Sequence, residues 1–164
     1  MRRIPNPRLK GREYPYLLYR VHFPKASHTS YHENYGFTCT ADDRIDICDY
    51  DDLANGFESH LDWGSKKPTY FISMFGSEDH AVNWAIKQIG RGRDVSASVM
   101  AIDPGQIKNS RNALLPILCL DDILSQYPDL VPDGKDKKWF EDEYLALYMI
   151  PESAIVNSYD VYFG

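Results

Sequence analysis

The sequence predicts an α+β domain. Short runs rich in aromatic and β-branched residues recur along the chain, one segment carries a helical repeat with both ends marked, and no internal repeat or low-complexity stretch interrupts them. The reading is a single domain over residues 16–164, preceded by a flexible N-terminal arm over 1–15.

The arm contains prolines and gathers Arg2, Arg3, Arg8, Lys10 and Arg12. The run from Tyr16 to His22 follows as a short strand that carries Arg20 in its interior, where a guanidinium needs a partner. The next stretch, through Gly36 and Phe37, is polar and holds His28 and His32. Asp42, Asp43, Asp46, Asp49, Asp51 and Asp52 then surround Ile45 and Ile47, just before Leu53, and read as a surface loop or short helix.

Pro68 to Phe75 is the second strand candidate. Ser77 starts a helix, with Glu78 and Asp79 in its first turn, Val82, Ala85, Ile86 and Ile89 at helical spacing, and Gly90 at its end. Val95 to Ile102 reads as a buried strand closed by Asp103-Pro104-Gly105, and a helix over about Asp121 to Tyr127 is stopped by Pro128. Strands over Glu141 to Met149 and Ala154 to Tyr162 are separated by Pro151, and the terminal Tyr159 to Gly164 supplies a last strand.

At 164 residues and 43% hydrophobic content, the chain has enough apolar material for one core. A formal charge of -6 argues against a nucleic-acid backbone as principal partner, because phosphate binding needs a concentrated basic surface. Cys39, Cys48 and Cys119 show no C-x-x-C spacing and leave an odd thiol, which fits a reducing compartment or at most one bridge. No apolar run approaches membrane-spanning length and no signal-peptide pattern opens the chain, so the expectation is a protein that acts inside a cell and not on a membrane.

Glu141-Asp142-Glu143 is the most informative motif. In an extended strand, residues i and i+2 share a face, so Glu141 and Glu143 are expected to converge on one site. Paired carboxylates serve acid/base chemistry, metal binding or stabilisation of a cationic transition state, and equally occur as an acidic, solvated strand end. His28 and His32, four residues apart, lack a third ligand, so no metal site is expected. Gly90-Arg91-Gly92 follows a helix and lacks the strand-to-helix turn of a dinucleotide fingerprint.

In chain order, Tyr19-Arg20, Phe71-Ile72-Ser73 and Glu141-Asp142-Glu143 resemble the Arg, Ser and Glu signature of ADP-ribosyltransferases of the cholera and heat-labile enterotoxin type. Gly36-Phe37, His60 ahead of the serine strand and a further strand after Ile150-Pro151 fall where that pattern places them. The resemblance implies a split β-sandwich with a few peripheral helices, and NAD as co-substrate in a cleft between two sheets.

It also implies roles. Glu143 becomes the catalytic carboxylate, stabilising the oxocarbenium-like transition state as nicotinamide leaves the ribose. Glu141 is the first glutamate of the E-x-E form, associated with transfer to an arginine of a target protein. Arg20 helps hold NAD with its planar charged fork, its alternative being a structural ion pair. Ser73 matches the first residue of a Ser-Thr-Ser triplet, which here reads Ser73-Met74-Phe75, and His60 borders the NAD site. Trp63, Phe75 and Tyr144 either stack on the ligand's rings or belong to the core.

The function so implied is NAD-dependent mono-ADP-ribosyl transfer to arginine on a protein, with NAD glycohydrolase activity beside it. The partners implied are NAD, a protein acceptor and room for an activator protein, with action in the cytoplasm, or in a host's cytosol for a secreted, toxin-like effector. The alternatives are a catalytically degenerate binding module, to which the loss of two triplet hydroxyls points, and an NAD glycohydrolase without acceptor.

Overall fold

The computed structural model of the chain describes residues 1–24, 29–62, 67–92 and 96–162. His28, Trp63, Val95 and the terminal Phe163-Gly164, all used in the reading above, lie outside these residues. Nine strands are described: β1 (Leu18–His22), β2 (Ser30–His32), β3 (Gly36–Thr38), β4 (Phe71–Phe75), β5 (Ser96–Ile102), β6 (Ile117–Cys119), β7 (Glu143–Leu147), β8 (Met149–Pro151) and β9 (Ile155–Tyr162). Three α-helices accompany them: α1 (Tyr50–Leu61), α2 (Glu78–Gly90) and α3 (Leu120–Gln126). The α+β expectation holds.

Alternation along β4 decides the layering. Phe71, Ser73 and Phe75 point to one face, Ile72 and Met74 to the other, and Phe71, Ile72 and Met74 are fully buried, so this strand is covered on both sides. It lies inside a six-stranded sheet of order β6-β7-β4-β1-β5-β9, while β2, β3 and β8 form a second sheet. Every described strand pair is antiparallel.

One face of the large sheet receives the helices. Leu53, Phe57 and Leu61 of α1 and Leu124 of α3 pack with Phe71, Leu145 and Leu147, and Ala81, Ala85 and Ile89 of α2 pack with Val21, Ala97 and Val99. On the other face, Leu18, Ile72, Met74 and Ala146 meet Phe37 and Ile150 of the small sheet. A fully buried side chain of this size contributes roughly 1.5–3 kcal/mol, so these layers fix the sheet positions firmly.

Within the large sheet, β4 and β7 share five registered residue pairs, Phe71↔Leu147 through Phe75↔Glu143, whereas β1 and β4 share only Tyr19↔Phe75. The sheet is therefore continuous in order but parted between its β6-β7-β4 and β1-β5-β9 halves. Tyr148 takes φ 73° and turns the chain from β7 into β8, which belongs to the other sheet. Gly36, at φ 91°, begins β3 so close to β8 that an added Cβ would stand 2.1 Å from the Ile150 carbonyl oxygen; only glycine fits.

Three expectations need correction. The first fifteen residues are not a loose arm: Ile4 and Leu9 are buried in two different cores, Ile4 N–H donates to Cys48 O at 2.9 Å, and Leu9 N–H donates to Ile117 O at 2.8 Å. Arg3 pairs with Asp46, and the Arg2 guanidinium sits 4.1 Å from the Tyr50 ring centroid. The aspartate-rich segment leads into the full helix α1, whose N-cap Asp49 accepts from the N–H groups of Asp51 and Asp52. Its acidic density is partly helix-start chemistry, since carboxylates suit the positive end of a helix.

The third correction concerns Glu141. It follows a 3-10 turn at Lys137–Phe140 with φ -62° and ψ -30°, and the strand begins only at Glu143. Phe140 is fully buried in the core beneath α1 and α3 and holds the chain in that turn. The two glutamates therefore do not share a strand face.

Candidate active site

Register brings the site together. Glu143 lies opposite Phe75, so Ser73, two residues before Phe75, is its diagonal neighbour on the same sheet face. Ser73 Oγ donates to Glu143 Oε2 at 2.9 Å. His60 enters from the last turn of α1, which is seated by Phe57 and Leu61, and its ring meets Phe71 edge-on at 5.6 Å. His60 Nε2 is 2.7 Å from Ser73 Oγ and 4.0 Å from Glu143 Oε2.

Arg20 reaches the same place through the parting of the sheet. Its neighbour Tyr19 makes the single β1–β4 registered pair, and beyond it Arg20 Nη1 donates to the Ser73 carbonyl oxygen at 2.9 Å. A side chain thus satisfies a strand carbonyl where the two halves of the sheet separate. Arg20 Nη2 donates to Thr29 Oγ1 at 3.2 Å, and the guanidinium carbon lies 5.2 Å from the Phe37 ring centroid. Its Nε is buried and has no hydrogen-bond partner among the described residues.

Burial shapes the charges. Glu143 is 9% exposed, and burial pushes its carboxyl up to about 7, against the pull of the Ser73 hydrogen bond and the Arg20 charge. Burial lowers Arg20 to about 10, opposed by the charge of Glu143. A carboxyl poised near neutrality beside a desolvated guanidinium is the kind of pairing found where chemistry is done.

Of the residues singled out in the sequence, Arg20, Ser73, His60 and Glu143 come together; Glu141 is exposed in the turn outside them. Asp142, between the glutamates, faces α2: its Oδ2 accepts from Ser77 N–H at 3.0 Å and lies 2.9 Å from His80 Nδ1, while its carbonyl accepts from Gly76 N–H at 3.0 Å. A Cβ at Gly76 would stand 2.6 Å from Asp142 Oδ1, so a larger residue there would displace the Asp142 carboxylate.

Phe75 packs against His80 and Trp84, with ring centroids at 4.5 and 5.6 Å, and Tyr144 packs into the core between the sheets. Met74 is fully buried on the opposite face from Ser73. Met74 is core, while Phe75 and Tyr144 are partly buried against the core. Sequence reasoning missed Thr29, Phe37 as the surface beneath Arg20, and Thr69, whose Oγ1 is 2.7 Å from His60 Nδ1. A threonine beside a strand gives no signal of such a role.

The three cysteines are free thiols. Among the described residues, no group of three or more His, Cys, Asp or Glu side chains is placed to hold a metal ion, and no helix is long and apolar enough to cross a membrane.

The chain belongs to the family described as a domain of unknown function, DUF7587, whose match spans residues 13–162. No curated protein matches it in sequence. Among solved structures, EcPltA is similar with a TM-score of 0.57 and 14% identity, over 90% of this chain and 77% of that chain. That likeness is one of fold.

Proposed function

We propose that this protein is an NAD-dependent mono-ADP-ribosyltransferase of the Arg-Ser-Glu class, acting on arginine of a protein acceptor, with hydrolysis of NAD beside it. The carrying observation is the buried Glu143 carboxylate, hydrogen-bonded by Ser73 and set with Arg20 at the parting of the sheet. The fold it shares with EcPltA supports the reading at the level of architecture.

In this reading NAD lies in the gap between β1 and β4. Arg20, whose Nε has a hydrogen to give, binds its phosphate or ribose oxygens. As the bond from nicotinamide to ribose lengthens, positive charge grows on the sugar, and ionised Glu143 stabilises it in a site where the dielectric is low. Ser73 orients the carboxylate, and Glu141 in its exposed turn faces the acceptor side.

A second reading, an NAD glycohydrolase without acceptor, is favoured by one observation: Glu141 stands outside the strand and is not aimed with Glu143. One experiment separates them. Pure protein is incubated with labelled NAD, and nicotinamide release is followed with and without cell lysate. Labelled lysate protein supports transfer, release without labelling supports hydrolysis, and the absence of both removes the catalytic reading in favour of a binding module.

A further inference from the structure

A serine hydroxyl has one hydrogen to give, and with Glu143 ionised Ser73 gives it to Glu143 Oε2. The 2.7 Å contact between Ser73 Oγ and His60 Nε2 therefore needs its hydrogen on Nε2. On a neutral imidazole that leaves Nδ1 as a bare acceptor. Nδ1 is 2.7 Å from Thr69 Oγ1, so the hydrogen of that second contact has to come from the threonine hydroxyl.

Thr69 is built to give it. The residue is 8% exposed, its Oγ1 accepts from Phe71 N–H at 3.2 Å, its own N–H donates to Thr40 Oγ1 at 2.9 Å, and its carbonyl accepts from Ala41 N–H at 3.1 Å. Backbone and side chain are both held, with the hydroxyl against the ring.

We infer that Thr69 is a positioning residue that selects the Nε2–H tautomer of His60 and, through His60 and Ser73, directs a continuous chain of donors onto Glu143. Each link gives one hydrogen and accepts one: Thr69 to His60, His60 to Ser73, Ser73 to Glu143. Removing the first donor frees the ring to take the Nδ1–H form. Nε2 then accepts from Ser73, and Glu143 loses its hydroxyl donor. Among the described residues, the groups of ionisable character set against Glu143 are Arg20 from β1 and His60 from α1, and a change at Thr69 alters the identity of neither.

The functional meaning of this chain rests on the assignment of Glu143 above, so the test has a readout that needs no turnover. Nitrogen-15 NMR of the imidazole reports the tautomer directly, at a pH well above about 7, where Glu143 is ionised and the ring is neutral. The parent should show His60 as Nε2–H, Thr69→Val should move it toward Nδ1–H, and Thr69→Ser, which keeps the hydroxyl, should restore the parent form. The acid limb of the NAD-cleavage profile should shift upward by about 1–2 pH units in Thr69→Val and return in Thr69→Ser, the size expected for one hydrogen bond to a charged group.

An Nδ1–H ring in the parent overturns the inference whether or not Thr69→Val folds, and an unshifted tautomer in a folded Thr69→Val overturns it too. A parent with the Nε2–H ring, a tautomer switch in Thr69→Val and no NAD cleavage leaves the donor chain standing and removes the transferase reading. NAD cleavage with an Nδ1–H ring does the reverse.

Discussion

Two carboxylates adjacent in sequence, Asp142 and Glu143, each sit beside a histidine, and the two arrangements work differently. Asp142 contacts His80 directly at 2.9 Å, with the aspartate side chain 33% exposed, and the pair fastens the turn before β7 to the start of α2. Glu143 is buried, is bridged to His60 by Ser73 across a 4.0 Å separation, and is held up to about 7 by its surroundings. Water near the first pair screens it and makes it a structural fastening. Exclusion of water from the second leaves a carboxyl whose ionisation costs free energy and is therefore sensitive to what lies next to it.

The largest expected effect comes from abolishing the buried member. Glu143→Gln should keep the fold and lower NAD cleavage by roughly 10²–10³-fold or more, measured as nicotinamide release. It should also change the response of stability to pH. Because the folded carboxyl is raised from 4.5 to about 7, its contribution is fully present below about pH 4.5 and is lost as pH rises through about 7. Urea unfolding should show the parent losing stability relative to Glu143→Gln across that window, by up to about 3 kcal/mol, the product of the shift and about 1.4 kcal/mol per unit. Parallel curves would mean that burial does not raise the Glu143 carboxyl.

Glu141, in the exposed turn that Asp142 secures, should separate transfer from hydrolysis. Glu141→Gln is expected to cut protein labelling about tenfold or more while nicotinamide release stays near that of the parent. A common fall in both would place Glu141 with Glu143. Arg20→Lys keeps the charge but not the fork, so NAD binding measured by calorimetry should weaken by about tenfold. Unchanged affinity would return Arg20 to the structural side of the comparison.

The smallest effect belongs to the fastening itself. Asp142→Ala removes the acceptor for Ser77 N–H at the head of α2 and should lower the unfolding free energy by about 1–2 kcal/mol, read from denaturant midpoints. Glu143 should keep its pH response in that variant. If that response moves with Asp142, the two neighbouring pairs are one network.

What the sequence made legible follows from how local each signal is. Helix α2 is written in its own residues, with Ser77 accepting from His80 N–H at one end and Gly90 at the other, and β4 and β5 are written in branched and aromatic runs. Arg20, Ser73, His60 and Glu143, which the structure brings together, are singled out by motif order, which carries information that single residues do not. Helix α1 was obscured because its aspartates resemble a solvated loop, although Leu53, Phe57 and Leu61 recur every four residues. The hairpin of β2 and β3 and the placement of Glu141 depend on partners far along the chain, Pro151 and Met149 for the hairpin and the buried seat of Phe140 for the turn. Periodicity cannot report such partners.

The seating of the first residues has a practical consequence. The family match begins at residue 13, yet Ile4 and Leu9, upstream of it, fill positions in two separate cores. A chain trimmed to the limits of that match would open an apolar hole at each position and strip the donors that bond Cys48 O and Ile117 O. Where homology stops is therefore not where folding stops, and a poorly behaved fragment cut at residue 13 would say nothing against the site.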